Sequence, residues 1–226
     1  MPFTQLDPLA SSLVSLTAIA SLLLVFVMLG SRWLDNYLYA FAAQSWMIAT
    51  LSLAIGWFGH YSELYLIAAL TLVFRGLLLP YLIWRIIQPL RVARELHEVV
   101  RPSSGLLIGA LCVVFALAVS YSIGDVLGLV GTLAILALTV MLATILIGFL
   151  MLAVRQEAIT LIIALLVIEN GIGVGAVILT PGMPLLIELM SLFDVLIAVA
   201  CFGVLVRYLQ THVGTTSIRG LKRLVG

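Results

Sequence analysis

"LLVIENGIGVGA", Leu165 to Ala176, decides the fold, because it sets a carboxylate and a carboxamide, Glu169 and Asn170, inside an almost unbroken run of hydrocarbon. The run extends from roughly residue 156 to 180. As a helix it rises about 37 Å, enough to cross the ~30 Å hydrocarbon core of a bilayer. Runs of the same kind recur along the whole chain. Of its 226 residues, 64% are hydrophobic and 9% charged. That is too little polar surface to clothe a soluble domain of this size. The expected class is therefore all-α, a polytopic membrane protein whose backbone polar groups are satisfied within each helix.

Seven spans are expected, at roughly 9–30, 37–59, 63–87, 105–123, 126–150, 156–180 and 184–209. Short polar breaks separate them: "GSRWLDN", "GHYSE", "RPSSG", "SIGD", "VRQE" and "TPGMP". "SIGD" is the briefest and least polar of these. If the loops are assigned alternately to two sides, the N-terminal side carries no Lys or Arg. The other side carries Arg32, Arg85, Arg91, Arg94, Arg101, Arg155, Arg207, Arg219, Lys222 and Arg223. The positive-inside rule makes that side cytoplasmic, with the N-terminus outside and the C-terminus inside. A wrong span count would scramble this segregation. "MPFTQLDPLA" has no basic n-region, so the first span is poorly described as a cleaved signal peptide. The chain divides into an N-terminal three-helix part with its connector, 1–104, and a C-terminal four-helix part, 105–226.

Resident redox or metal chemistry finds no support. Cys112 and Cys201 stand singly in apolar spans and read as small buried hydrophobes. His60, His97 and His212 fall at loops or span ends, where they could not serve as axial haem ligands within helices. No Walker loop, dinucleotide fingerprint or metalloprotease helix occurs. Neither a cofactor nor a nucleic-acid partner is expected.

The eleventh basic residue, Arg75 in "LVFRGLLLP", belongs to neither side. It lies about 18 Å into the third span, Glu169 about 20 Å into the sixth and Asp194 about 15 Å into the seventh. All three fall near one depth, which allows lateral interaction. Glu188 lies nearer the outer surface. It is six residues from Asp194, about 120° off the same helical face, so the two could border one wet seam without stacking. Charges at that depth cost several kcal/mol on insertion scales unless they face protein or water and find partners. Gln44, in "AAQSWM", and Asn170 add neutral hydrogen-bonding groups. Pro80 frees a carbonyl in the third span. Gly171, Gly173 and Gly175 permit close helix approach or local unwinding. Pro181 and Pro184 bracket the turn "PGMP". Two readings stay open on these residues alone: proton or ion handling, or purely structural locking of helices. Between the third and fourth spans, "RIIQPLRVARELHEVVRP" pairs Arg91 with Glu95 and Arg94 with Glu98 at i,i+4. With Leu90, Leu96, Val99 and Val100 on one face it reads as a short interfacial helix, either a topology anchor or a docking element.

Several of these features together resemble a known family. The Glu-Asn-Gly of residues 169–171, Glu188 six before Asp194, the tail from Thr211-His212, "AAQS" at Gln44 and "FRGLLLPYLIW" at Arg75 make nearly the whole chain similar to component E of hydrogenase-4 and formate-hydrogenlyase-type complexes. Where that family has Lys before a similar "LLxP", this chain has Arg75, which keeps the charge but does not release its proton near neutral pH. The last three spans, 126–226, also resemble the K-type (4L) subunit of complex I and the C-type subunit of multisubunit cation/proton antiporters. Asp194 falls at the third-helix acid of the complex I subunit. Glu169 sits about one turn beyond the second-helix position, which is Leu166 here.

The resemblance implies a non-catalytic subunit of an energy-converting hydrogenase-like complex in a bacterial or archaeal inner membrane. Its partners would be antiporter-like and quinone-site-like membrane subunits, and a soluble arm carrying nickel–iron and iron–sulfur centres. Glu169 and Asp194 would be protonatable relay groups, with Glu188 towards the outer mouth, Arg75 as electrostatic partner, and Gln44 and Asn170 in support. The rivals are a structural or assembly subunit and a stand-alone transporter, although no convincing internal repeat supports the latter.

Overall fold

A computed structural model describes residues 8–87, 102–127, 131–155, 157–180 and 203 of the chain. Apart from residue 203, the seventh expected span lies outside the described residues, and with it Glu188, Asp194, Cys201, the "PGMP" turn and the basic tail. So do the connector at 88–101 and His97.

Among the described residues the fold is all-helical, with single bridge positions at Trp33, Arg155 and Glu157 and no strand. The elements are α1 (Pro8–Gly30), α2 (Leu34–Gly59), α3 (Glu63–Leu70), a π-helical stretch (Thr71–Leu78), α4 (Leu79–Ile87), α5 (Pro102–Leu127), α6 (Thr132–Val154) and α7 (Ala158–Leu179). α3, the π stretch and α4 join end to end into one rod. The result is six helical rods long and apolar enough to cross a membrane.

Their sequence explains both faces of each rod. α1 buries Ala10, Val14, Ala18, Ser21, Val25 and Met28, spaced three or four apart as one helical stripe. Its opposite face shows Leu9, Leu13, Leu16, Ile19, Leu23 and Val27. Apolar residues all round, with only small or packed ones inward, are what a lipid-facing bundle needs. α5 is the extreme case. Its inward stripe is Gly105, Gly109, Ala116, Ser120 and Gly124, while Leu107, Leu111, Val114, Phe115 and Tyr121 face out.

α7 is the most deeply buried of the described rods. It packs along α6 and also on α2, while α1 lies against α2, α5 and α6. Close approach of α6 and α7 depends on glycine: a Cβ on Gly171 would come within 3.0 Å of Thr144 Cβ, and one on Gly175 would strike Met141. α7 stays continuous through these glycines, so they serve approach and not unwinding.

One expected boundary moves. "SIGD" is helical, because α5 runs on through Asp125 to Leu127. The break lies between Leu127 and Thr132, where α6 starts, and Gly131 just before it has a φ of 153° that suits glycine. Polarity points to Asp125, but a helix tolerates one acid near its end, whereas the positive φ of Gly131 does not belong to a right-handed helix.

Two apolar clusters form the core. One contains Val25, Met28, Tyr37, Phe41, Leu79, Ile147, Met151, Ile159 and Ile163. The other contains Val14, Ala18, Ile48, Leu51, Ile55, Leu64, Ala137, Val140, Val174 and Val177. Every rod but α5 gives one half to the first and the other half to the second, so the clusters occupy opposite halves of the bundle. Between them lies a polar layer.

Candidate functional site

The layer is assembled from five rods at matching distances along their lengths. α1 supplies Ser21, α2 supplies Gln44 and Ser45, the π stretch Thr71 and Arg75, α6 Thr144, and α7 Asn170; all are buried. Glu169 stands at its edge.

Arg75 is the centre. Its side chain is 2% exposed, and that of Glu169 is 20% exposed. Nη1 donates to Asn170 Oδ1 at 3.1 Å, and Nη2 points at Glu169 Oε2 at 3.5 Å. The first is a well-formed hydrogen bond; the second is a loose ion pair. Asn170 Nδ2 in turn donates to Gln44 Oε1 at 3.1 Å and reaches Ser45 Oγ at 3.4 Å. Ser45 Oγ donates to the Phe41 carbonyl at 3.1 Å. A continuous polar chain therefore runs sideways, from Glu169 through Arg75 and Asn170 to α2. Gln44 Nε2 and Thr144 Oγ1 are buried without a hydrogen-bond partner, which gives the layer spare polar capacity beyond this chain.

Local structure explains why Arg75 reaches so far. The widened π stretch carries it at mid-length, with the N–H of Leu79 bonding back to the Phe74 carbonyl. Pro80 has no N–H for the Gly76 carbonyl four residues earlier, and that oxygen accepts from Trp46 Nε1 at 3.4 Å. Gly173 leaves room above the guanidinium: a Cβ there would sit 3.9 Å from Arg75 Nη1.

Of the six residues singled out in the sequence, the structure brings together Arg75, Glu169, Asn170 and Gln44. Glu188 and Asp194 lie outside the described residues. Ser45, Trp46 and Thr144 were not anticipated. Their only signal is depth, since each falls at the level of Arg75. Arg155, read as a loop charge, is buried: its Nη2 donates to the Met28, Leu29 and Ser31 carbonyls at 3.1, 3.0 and 3.0 Å. No group of three or more His, Cys, Asp or Glu side chains suited to a metal ion occurs among the described residues.

No protein-family model matches the chain, and no solved structure does. It is 33% identical over 154 residues to the uncharacterized protein Rv0085 of Mycobacterium tuberculosis (strain ATCC 25618 / H37Rv), a match covering 68% of this chain and 69% of that protein.

Proposed function

The chain belongs to the family of the Mycobacterium tuberculosis protein Rv0085, and we propose that it is a non-catalytic membrane subunit providing a lateral polar relay at the middle of the bilayer. In this reading it has seven spans with the N-terminus outside and the C-terminus inside. It sits in a bacterial or archaeal inner membrane within a hydrogenase-4-like energy-converting complex. Antiporter-like and quinone-site-like subunits flank it, and a soluble arm holds the nickel–iron and iron–sulfur centres.

One observation carries the reading: a buried guanidinium joins a carboxylate to a carboxamide chain, with an apolar cluster sealing the layer on each side. A vertical water path through either cluster would strand water among hydrocarbon. A sideways path meets polar atoms from α7 to α2. The geometry also suits repeated proton exchange. Glu169 is partly exposed and its ion pair with Arg75 is long, at 3.5 Å, while Arg75 is anchored on neutral Asn170 and so keeps a partner whichever protonation state Glu169 adopts. Glu169 and Asp194 are the relay acids, and Glu188 serves the outer mouth.

A second reading has its own support. Arg75 donates a 3.1 Å hydrogen bond to a neutral amide, as expected of a helix lock. Glu169→Gln separates the two readings. The relay requires a normally assembled complex whose proton coupling is lost. A lock requires either unchanged coupling or failed assembly. Affinity purification of the tagged chain from native membranes tests the setting. Hydrogenase-type or antiporter-like subunits should co-purify, and a well-folded chain that purifies alone removes the complex from the proposal.

A further inference from the structure

The relay reading leaves unused a cleft of about 200 Å³ between α2 and the rod of α3 and α4. Asp35, Leu38, Tyr39, Pro80, Tyr81 and Trp84 line it. Asp35, Leu38 and Tyr39 share one face of the first turns of α2 through i,i+3 and i,i+4 spacing. Tyr81 and Trp84 lie three apart near the end of α4, their ring centroids 6.4 Å apart and their planes inclined at 33°. Leu38 is buried as the floor, whereas Tyr39, Tyr81 and Trp84 are 71%, 52% and 44% exposed. Helix packing therefore does not consume these three rings.

The cleft's position narrows its occupant. Its residues fall within about 11 Å of the rod ends, the depth at which hydrocarbon gives way to headgroups. Arg32 and Arg85, both exposed, stand at the same end of the bundle. Tyr and Trp are enriched at this level in membrane proteins generally. Here three rings and a carboxylate from two rods line one hollow. Ring faces attract cations, and a carboxylate has acceptor positions for more than one N–H donor.

We propose that this cleft seats the terminal ammonium of a zwitterionic phospholipid of the phosphatidylethanolamine type, with the arginines at the same level meeting its phosphate. The ammonium donates hydrogen bonds to the Asp35 carboxylate and rests against the faces of Tyr81, Trp84 and Tyr39. An anionic headgroup without an amine would set its charge against Asp35 and gain nothing from the rings. This inference does not depend on the relay.

The test is native mass spectrometry of the full-length chain in mild detergent, titrated separately with phosphatidylethanolamine and phosphatidylglycerol. The wild type should retain phosphatidylethanolamine at collision energies that strip phosphatidylglycerol. Trp84→Leu and Asp35→Asn should each weaken phosphatidylethanolamine retention about five- to tenfold, while phosphatidylglycerol stays unchanged in Trp84→Leu and is held no less firmly in Asp35→Asn, where the repelling charge is gone. Trp84 is largely exposed, so its variant keeps the test valid if Asp35→Asn disturbs the first turn of α2. Equal retention of both lipids by the wild type overturns the proposal. So does undiminished phosphatidylethanolamine retention in Trp84→Leu, or a preference for phosphatidylglycerol, which would move the site to the arginines alone.

Discussion

At the scale of single residues, a guanidinium brings five N–H donors and a permanent charge into a place with no water to receive them. Arg75 meets this with a carboxamide at 3.1 Å and a carboxylate at 3.5 Å. Asn170 is therefore the pivot, because it accepts from Arg75 and donates to Gln44 and Ser45. Asn170→Ala should remove about 2–3 kcal/mol of stability by stranding polar groups on both sides, visible as a lowered Tm in detergent. Glu169→Gln should change Tm far less, because its pair is long and partly exposed. Equal losses in the two variants would make the carboxylate, not the amide, the anchor. The sequence reveals this layer well, since Arg75, Glu169, Asn170 and Gln44 are polar letters in apolar runs and a rise of 1.5 Å per residue levels them. Ser45 escapes notice because a helical serine ordinarily bonds to its own preceding turn, as Ser45 also does.

At the scale of elements, the third rod is where local reading falls short. Pro80 announces a disturbed helix, and the freed Gly76 carbonyl follows from it. The π-helical widening does not follow. No composition encodes it; partners across the bundle, reached by Arg75 and Trp46, hold it in place. Gly76 is the sensitive point: a Cβ there would lie 2.8 Å from Trp46 Cδ1 and 2.9 Å from Nε1. Gly76→Ala should push the indole off the Gly76 carbonyl and cost about 1–3 kcal/mol through overpacking. The emission of Trp46 should shift, measured in a variant with the other tryptophans replaced by phenylalanine. An unchanged spectrum and Tm would mean that the ring moves freely and does not brace the π stretch. The α5–α6 break was misread for a related reason. Asp125 has loop chemistry yet lies within α5, while the non-helical positive φ belongs to Gly131, just before α6.

At the scale of the whole molecule, counting charges treats every loop cation as solvated, and Arg155 shows what that misses. Segregation of ten of the eleven basic residues suggests a topology but is silent on which rods touch, because apolar stripes of similar composition do not name their partners. Arg155 is only 3% exposed and ties two distant turns together. Its Nη2 meets the carbonyls of Met28, Leu29 and Ser31, at and just past the end of α1, where the Met28 oxygen also accepts from the Ser31 N–H at 3.2 Å. Its guanidinium carbon lies 5.3 Å from the centre of the Tyr37 ring. Arg155→Gln should therefore destabilise the bundle by about 3 kcal/mol, since several charge-assisted hydrogen bonds are lost from a buried position. Arg155→Lys should recover only part of this, because an ammonium keeps the charge but not the planar fork. Nine basic residues remain on that side without Arg155, so a reporter fused to the C-terminus should give the same orientation in both variants. A reporter that inverts while Tm holds would mean that Arg155 acts in insertion as a charge; a Tm loss at constant orientation means that it acts as the clamp joining the α1–α2 and α6–α7 turns.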